Sequence, residues 1–263
     1  MLPARTGPDH LARFGRALAM RPRRAPIEAG IIAAGDGTRL QASHPALIKP
    51  LIPIAGSPLC HWVAGSLRGA GIQSITLLHN SRGRGVPESL QKAFPGLRWS
   101  FLDRDTASSW ESFRLVARSL AGRAASFIMS TVDALIPPEE VARFAREAGE
   151  SSARAALALT SFVDDEKPLW ADLNDQGLIE ALGEKSLKRS SVTCGLYYMT
   201  SELALEMPPA ASHASLRSYW GALVSARVPV AGVLLSKTMD VDRPQDVQQA
   251  EAFLKEATSW QSA

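Results

Sequence analysis

Cysteine is scarce in this chain: Cys60 and Cys194 are the only two among 263 residues. Two thiols cannot build a disulfide framework, and no Cys/His cluster surrounds either one, which argues against a structural zinc site. Both read as small buried hydrophobes of a reducing, cytoplasmic protein. Long apolar runs are also missing. None reaches the roughly eighteen residues that a membrane span needs, so no membrane partner is expected. A charge excess is lacking as well, because 29 Lys and Arg against 26 Asp and Glu leave only +3. Much of that excess lies near the N-terminus, so no nucleic-acid partner is expected either. The histidines are few, and His44, His61, His79 and His213 fall at no ligand spacing.

What is present is ordinary for a globular protein, with 46% hydrophobic and 21% charged residues. The length suits one α/β domain with a buried core. Residues 1–26 carry Arg5, Arg13, Arg16, Arg21, Arg23 and Arg24 and few acids. They read as an Arg-rich extension, either frayed or a short helix over Leu11–Met20, with a transit peptide as a further reading. Residues 27–263 read as a single domain.

Within that domain, strand and helix alternate. Ile27–Ala34 is a short apolar run ending in glycine, the pattern of a strand buried on both faces. A Gly/Pro-rich loop leads to a helix over Leu59–Ala70 that stops at Gly71. Strands follow at Ser74–His79, Trp99–Leu102 and Ser126–Thr131, and helices at Val86–Phe94, Ser108–Leu120 and Glu139–Ala148. This rhythm predicts a mainly parallel sheet flanked by helices, whose ligands collect beyond the carboxyl ends of the strands. The later chain predicts a strand over Ala155–Phe162 and a hairpin of Leu169–Leu173 with Gly177–Leu182. Beyond these come strands at Val192–Met199 and Val228–Leu235, helices near Ser201–Glu206 and Ser215–Ala226, and a closing helix over Arg243–Ala257.

Chemistry concentrates in the first loop. Ala33-Ala34-Gly35-Asp36-Gly37-Thr38-Arg39-Leu40 offers glycines that let phosphate approach backbone N–H groups. Arg39 supplies a bidentate, charge-assisted donor. No Gly-Lys-Ser/Thr follows, so this is not a Walker loop. Next comes Ile48-Lys49-Pro50-Leu51, then Gly56-Ser57-Pro58 opening a helix. Together these segments resemble the sugar-phosphate nucleotidyltransferase (nucleoside-diphosphate-sugar pyrophosphorylase-like) family. Three later segments agree with its pattern: Thr131-Val132-Asp133 at a strand end, Gly183-Glu184-Lys185, and Asp240-Val241-Asp242-Arg243-Pro244. Departures occur at Thr131-Val132, at Ser186 in place of a proline, and at Arg243 in place of a threonine.

The resemblance implies a Rossmann-like, GT-A-type nucleotidyltransferase fold with a small acceptor-binding lobe. It implies transfer of a nucleotidyl group from a nucleoside triphosphate to a phosphorylated small-molecule acceptor, first of all a sugar 1-phosphate, with release of pyrophosphate. Ala33, Ala34, Gly35, Gly37, Thr38, Arg39, Lys49, Ser108 and Ser109 would hold the nucleotide. Arg39, Lys49 and Asp133 would be catalytic, and Asp133 and Asp242 would bind Mg²⁺. Glu184, Lys185 and Gly195 would meet the acceptor. Plainer roles stand beside these: a turn residue for Asp133, helix caps for Asp242 and Ser108, an exposed ion pair for Glu184 and Lys185, and a packing glycine for Gly195. Asp240 is a fallback metal ligand, and Trp110, Trp170 and Trp220 are either cleft walls or core. Phosphocholine, inositol phosphate or another phosphorylated alcohol is an alternative acceptor. A glycosyltransferase of similar fold fits less well, because Thr131-Val132-Asp133 lacks the Asp-x-Asp expected there. A non-catalytic nucleotide or sugar-phosphate sensor is the other alternative. The sequence leaves a homo-oligomer open.

Overall fold

The computed structural model describes residues 28–35, 37–41, 47–161, 168–236 and 238–256. The expectations for residues 1–26, Ile27, Asp36, Phe162 and Ala257 lie outside these. Among the described residues, nine strands form one sheet. They are β1 (Glu28–Ala33), β2 (Ser74–His79), β3 (Arg98–Asp103), β4 (Ser126–Thr131), β5 (Ala155–Thr160), β6 (Trp170–Leu173), β7 (Ile179–Leu182), β8 (Ser191–Thr200) and β9 (Val230–Leu235). The helices are α1 (Thr38–Gln41), α2 (Leu59–Gly69), α3 (Gly85–Ala93), α4 (Ser109–Ala121), α5 (Pro138–Glu150), α6 (Ser201–Leu205), α7 (Leu216–Ser225) and α8 (Pro244–Glu256). The spatial order is β7-β6-β8-β4-β1-β2-β3, with β5 paired to both β8 and β9.

Strands β4, β1, β2 and β3 run parallel, as their alternation with helices requires. Each of β1, β2 and β4 is buried along nearly its whole length, so helices cover both faces. On one face, α4 supplies Trp110, Phe113, Val116, Ala117 and Leu120, all fully buried at helical spacing. On the other, α5 supplies Val141, Phe144, Ala145 and Ala148. Pro138 opens α5 where its missing N–H costs nothing.

The second half of the chain joins the same sheet. β8 runs antiparallel to β4, pairing Leu196 with Ser130, and antiparallel to β5. Its register against β5 shifts between Thr193 and Tyr197. Gly195 sits inside that bulge with φ of +74°, a left-handed conformation that glycine adopts without strain. Two short pairings complete the fold, Pro53–Ile54 with Ser57–Pro58, and Ala134–Leu135 with Met239–Asp240.

The hairpin β6–β7 turns at Asn174, whose Oδ1 accepts from the amides of Gln176 and Leu178, each at 3.0 Å. Beyond it, Asp172 is almost completely buried. Its carboxylate accepts from the Ser186 hydroxyl at 2.5 Å and from the amides of Leu187 at 2.7 Å and Lys188 at 3.2 Å. Burial by itself would raise this carboxyl's pKa, but the Ser186 hydroxyl and the following amides hold it below the usual range. The Ser186–Lys188 segment is thereby tied to β6.

A group with a depressed folded-state pKa stabilises above its unfolded value, about pH 4, and loses that contribution as pH falls through the folded value. Asp172→Asn should therefore cost about 1–3 kcal/mol at pH 7. The difference from the parent should shrink below about pH 4. Thermal unfolding of both proteins across pH 3–8 checks this; a deficit independent of pH would contradict it.

Candidate active site

The carboxyl ends of β1 and β4 meet at the sheet edge, with Ile32 paired to Thr131 and the Val132 amide bonded to the Ile32 carbonyl at 3.1 Å. Asp133 follows immediately. The short pairing of Met239–Asp240 with Ala134–Leu135, extended by a bond from the Val241 amide to the Asp133 carbonyl, brings Asp242 beside Asp133. Their separation of more than a hundred residues in sequence disappears.

Between the two carboxylates lies Lys49, on a short 3-10 turn over Lys49–Leu51. It is 7% exposed. Its Nζ donates to Asp133 Oδ2 and to Asp242 Oδ1, both at 2.5 Å. Arg39 of α1 reaches the other oxygen of Asp242 at 3.3 Å. Burial would push the Lys49 ammonium toward neutrality, yet the Asp133 and Asp242 charges and hydrogen bonds overcome it and hold its pKa above the ordinary value. The same balance acts on Asp133. Its burial is outweighed by Lys49 and by the Thr131 hydroxyl, which keep it ionised.

Gly37 completes this arrangement. It has φ of +60°, and a Cβ added there would lie 2.5 Å from the Lys49 Cβ. Gly37 thus packs directly on the lysine stem, and only glycine satisfies both the backbone angle and the space.

Asp242 does not cap α8. Asp246, the third residue of that helix and 2% exposed, reaches back to accept from the amides of Asp242 at 2.9 Å and Arg243 at 2.8 Å just ahead of it. The Asp242 carboxylate instead faces Lys49 and Arg39. Ser108 does cap α4, accepting from the Glu111 amide at 3.1 Å, and Ser109 Oγ accepts from the Leu216 amide at 3.0 Å.

Two adjoining clefts share Ser109, Thr131, Asp133 and Asp242. The larger, about 410 Å³, is lined by Ala34, Gly35, Gly37, Thr38, Arg39 and Lys49 on one side and by Thr106, Ser108 and Ser112 on the other. Ala33, by contrast, is buried in the core and lines neither cleft. The smaller cleft, about 200 Å³, includes Gly195, Tyr197, Arg217, Trp220 and Asp240. A Cβ at Gly195 would meet the Thr131 Oγ1 at 2.5 Å, so a side chain there would crowd the wall between the clefts.

Glu184 and Lys185 line neither of these clefts. Lys185 bonds Ser225 Oγ at 3.0 Å beside a separate depression against α7. The tie between Ser186 and Asp172 accounts for this, because it fixes the turn against β6. Trp110 is core, stacked on Tyr219 with ring centroids 4.2 Å apart, whereas Trp220 is core and cleft wall at once. Thr106, Ser112 and Arg217 were not singled out by the sequence, since none lies in a recognisable motif.

Residues 29–195 match the MobA-like NTP transferase domain. The chain belongs to that family. A segment is 30% identical over 102 residues to the CMP-5'-(3-aminopropyl)phosphonate synthase of Streptomyces rubellomurinus, covering 38% of this chain and 16% of that protein. The chain thus spans about a sixth of that relative's length. Among solved structures, the inositol-1-phosphate CTP transferase of T. maritima superposes with a TM-score of 0.74 at 20% identity, covering 88% of this chain and 97% of that one. A putative glucose-1-phosphate thymidylyltransferase from Bacillus anthracis gives 0.73 at 19% identity, covering 87% and 95%. The expected α/β nucleotidyltransferase fold is borne out. No helix among the described residues is long and apolar enough to cross a membrane.

Gly37→Ala should strain the loop by about 1–3 kcal/mol and displace Lys49. Its measure is the Kd for a nucleoside triphosphate by calorimetry, expected to rise at least tenfold; unchanged affinity would show that the loop does not set the site.

Proposed function

We propose that the protein is a Mg²⁺-dependent nucleotidyltransferase that moves the NMP group of a nucleoside triphosphate to a phosphorylated acceptor and releases pyrophosphate. The observation that carries this reading is the convergence of Gly37, Arg39, Lys49, Asp133 and Asp242 on one cleft. Family membership supports the reaction type. A sugar 1-phosphate is the first acceptor to test. A second reading, cytidylyl transfer to inositol phosphate, another phosphorylated alcohol or a phosphonate, is favoured by one relative named for CMP chemistry and one structural neighbour named for CTP chemistry.

In this reaction an acceptor phosphate oxygen forms a bond to the α-phosphorus while the bond from that phosphorus to the bridging oxygen breaks, and pyrophosphate leaves. The attacking oxygen is already anionic, so no strong base is required. The difficulty is bringing two anions together, which positioned cations solve. On this reading, Lys49 neutralises the α-phosphate and Arg39 the β- and γ-phosphates, as the family resemblance implies. On the same reading, the backbone at Gly35, Gly37 and Thr38 offers amides to the phosphates, and the wall of Thr106 and Ser108 borders the nucleotide.

Asp133 and Asp242 suit a divalent ion. Among the described residues no group of three or more His, Cys, Asp or Glu could hold one. Mg²⁺ needs only one or two protein carboxylates when substrate phosphates and water supply the rest. Bound there, the ion would offset charge on the triphosphate. Lys49 Nζ contacts one oxygen of each carboxylate, so an ion held by Asp133 and Asp242 would compete with the ammonium for them. On this reading, Lys49 releases them when it turns to the α-phosphate.

Asp133→Ala should abolish pyrophosphate release in a panel of nucleoside triphosphates and phosphorylated acceptors. Lys49→Ala should lower kcat by about 10²–10³-fold. Parent-like rates in either variant would end the assignment, and tight ligand binding without turnover in the parent would favour a sensor. Lys49→Met should bind Mn²⁺ without nucleotide at least tenfold more tightly than the parent, as read by electron paramagnetic resonance. Equal affinity would show that the lysine does not occupy the metal ligands.

A further inference from the structure

The smaller cleft poses an electrostatic problem. It shares Asp133 and Asp242 with the larger cleft and is also bordered by Asp240. Lys49 is engaged with two of them. Lys49 and Arg39 are committed to these carboxylates and, on the proposed reading, to the triphosphate, so the acceptor's own phosphate or phosphonate dianion needs a further cation facing it. Among the described residues lining this cleft, Arg217 is the one basic side chain. The residue that the family resemblance offers for the task, Lys185, is turned toward Ser225 elsewhere.

The helix dipole does not favour a cation at the position of Arg217. This residue lies in the first turn of α7, which contains no acidic residue. Ser215 and Ser218 already form the capping box that satisfies the helix end. Local preference is thus violated at a residue bordering a cleft, the kind of position where function overrides propensity. The support beneath it is rigid: Trp220, one turn along α7, stacks on Tyr197 with centroids 5.7 Å apart and planes within 15°. The neighbouring Leu216 amide is fixed by Ser109, which belongs to both clefts.

From this we infer that Arg217 is the acceptor-binding residue, its guanidinium gripping the phosphate or phosphonate group of the acceptor while Tyr197 and Trp220 wall its body. A planar fork matches such an oxyanion bidentately, which an ammonium cannot reproduce. This assignment rests on the nucleotidyltransferase reading, and it replaces Lys185 as the acceptor cation.

The test uses the full chain with matched phosphate and phosphonate acceptors. Arg217→Gln should raise the acceptor KM 10–100-fold while the KM for the nucleoside triphosphate stays within twofold. Arg217→Lys should recover only part of the loss. Calorimetric titration of acceptor into each variant gives the same ranking without turnover. Retained Tm and retained triphosphate KM exclude a folding defect. An Arg217→Gln protein with parent-like acceptor KM overturns the assignment alone, as does transfer of the effect to Lys185→Ala. A parent protein without turnover on any pair overturns the nucleotidyltransferase reading and this assignment with it. A defect shared by phosphate and phosphonate acceptors supports the oxyanion as the recognised group; a defect confined to one class overturns that part.

Discussion

One buried ammonium organises the cleft. Lys49 lies between two carboxylates contributed by distant parts of the chain, and nearly all of its side chain is removed from water. A charge in that position is tolerable only when paired and hydrogen-bonded. The two aspartates in turn would repel one another without it. The packing of Gly37 on the lysine stem extends the same constraint to the start of α1. Loop, strand end and the approach to α8 are therefore held in register by a single cation.

The fold supplies this geometry through two devices. The parallel strands β1 and β4 deliver the loop and Asp133 to one edge, as the topology of such sheets dictates. The pairing of Met239–Asp240 with Ala134–Leu135 then carries Asp242 to that edge. Asp246 strengthens the second device by accepting the amides at the start of α8, which leaves the Asp242 carboxylate turned toward the cations.

A second layer of organisation lies under the smaller cleft. Trp110, Phe113, Tyr197, Tyr219 and Trp220 form linked ring contacts between α4, β8 and α7. Large aromatic side chains with fixed mutual geometry resist displacement, so the cleft wall is built from core. The bulge at Gly195 brings β8 up to Thr131 without a side chain between them. The boundary between the two clefts is consequently set by packing rather than by a loop.

Much of this was legible in the residues themselves. The apolar runs of β1, β2 and β4, the helical spacing of α4 and the proline opening α5 all reflect local periodicity and backbone chemistry, which a sequence displays directly. The glycines, Arg39, Lys49 and Asp133 stood out because their chemistry and order form a pattern. Long-range placement was not legible. That β8 would insert antiparallel beside β4, that Asp246 rather than Asp242 would satisfy the amides at the start of α8, and that Ser186 would bind Asp172 and hold Lys185 away from the clefts all depend on contacts between residues distant along the chain. The tertiary structure alone decided these, because hydrogen-bond partners and close packing are properties of the folded space and not of sequence spacing.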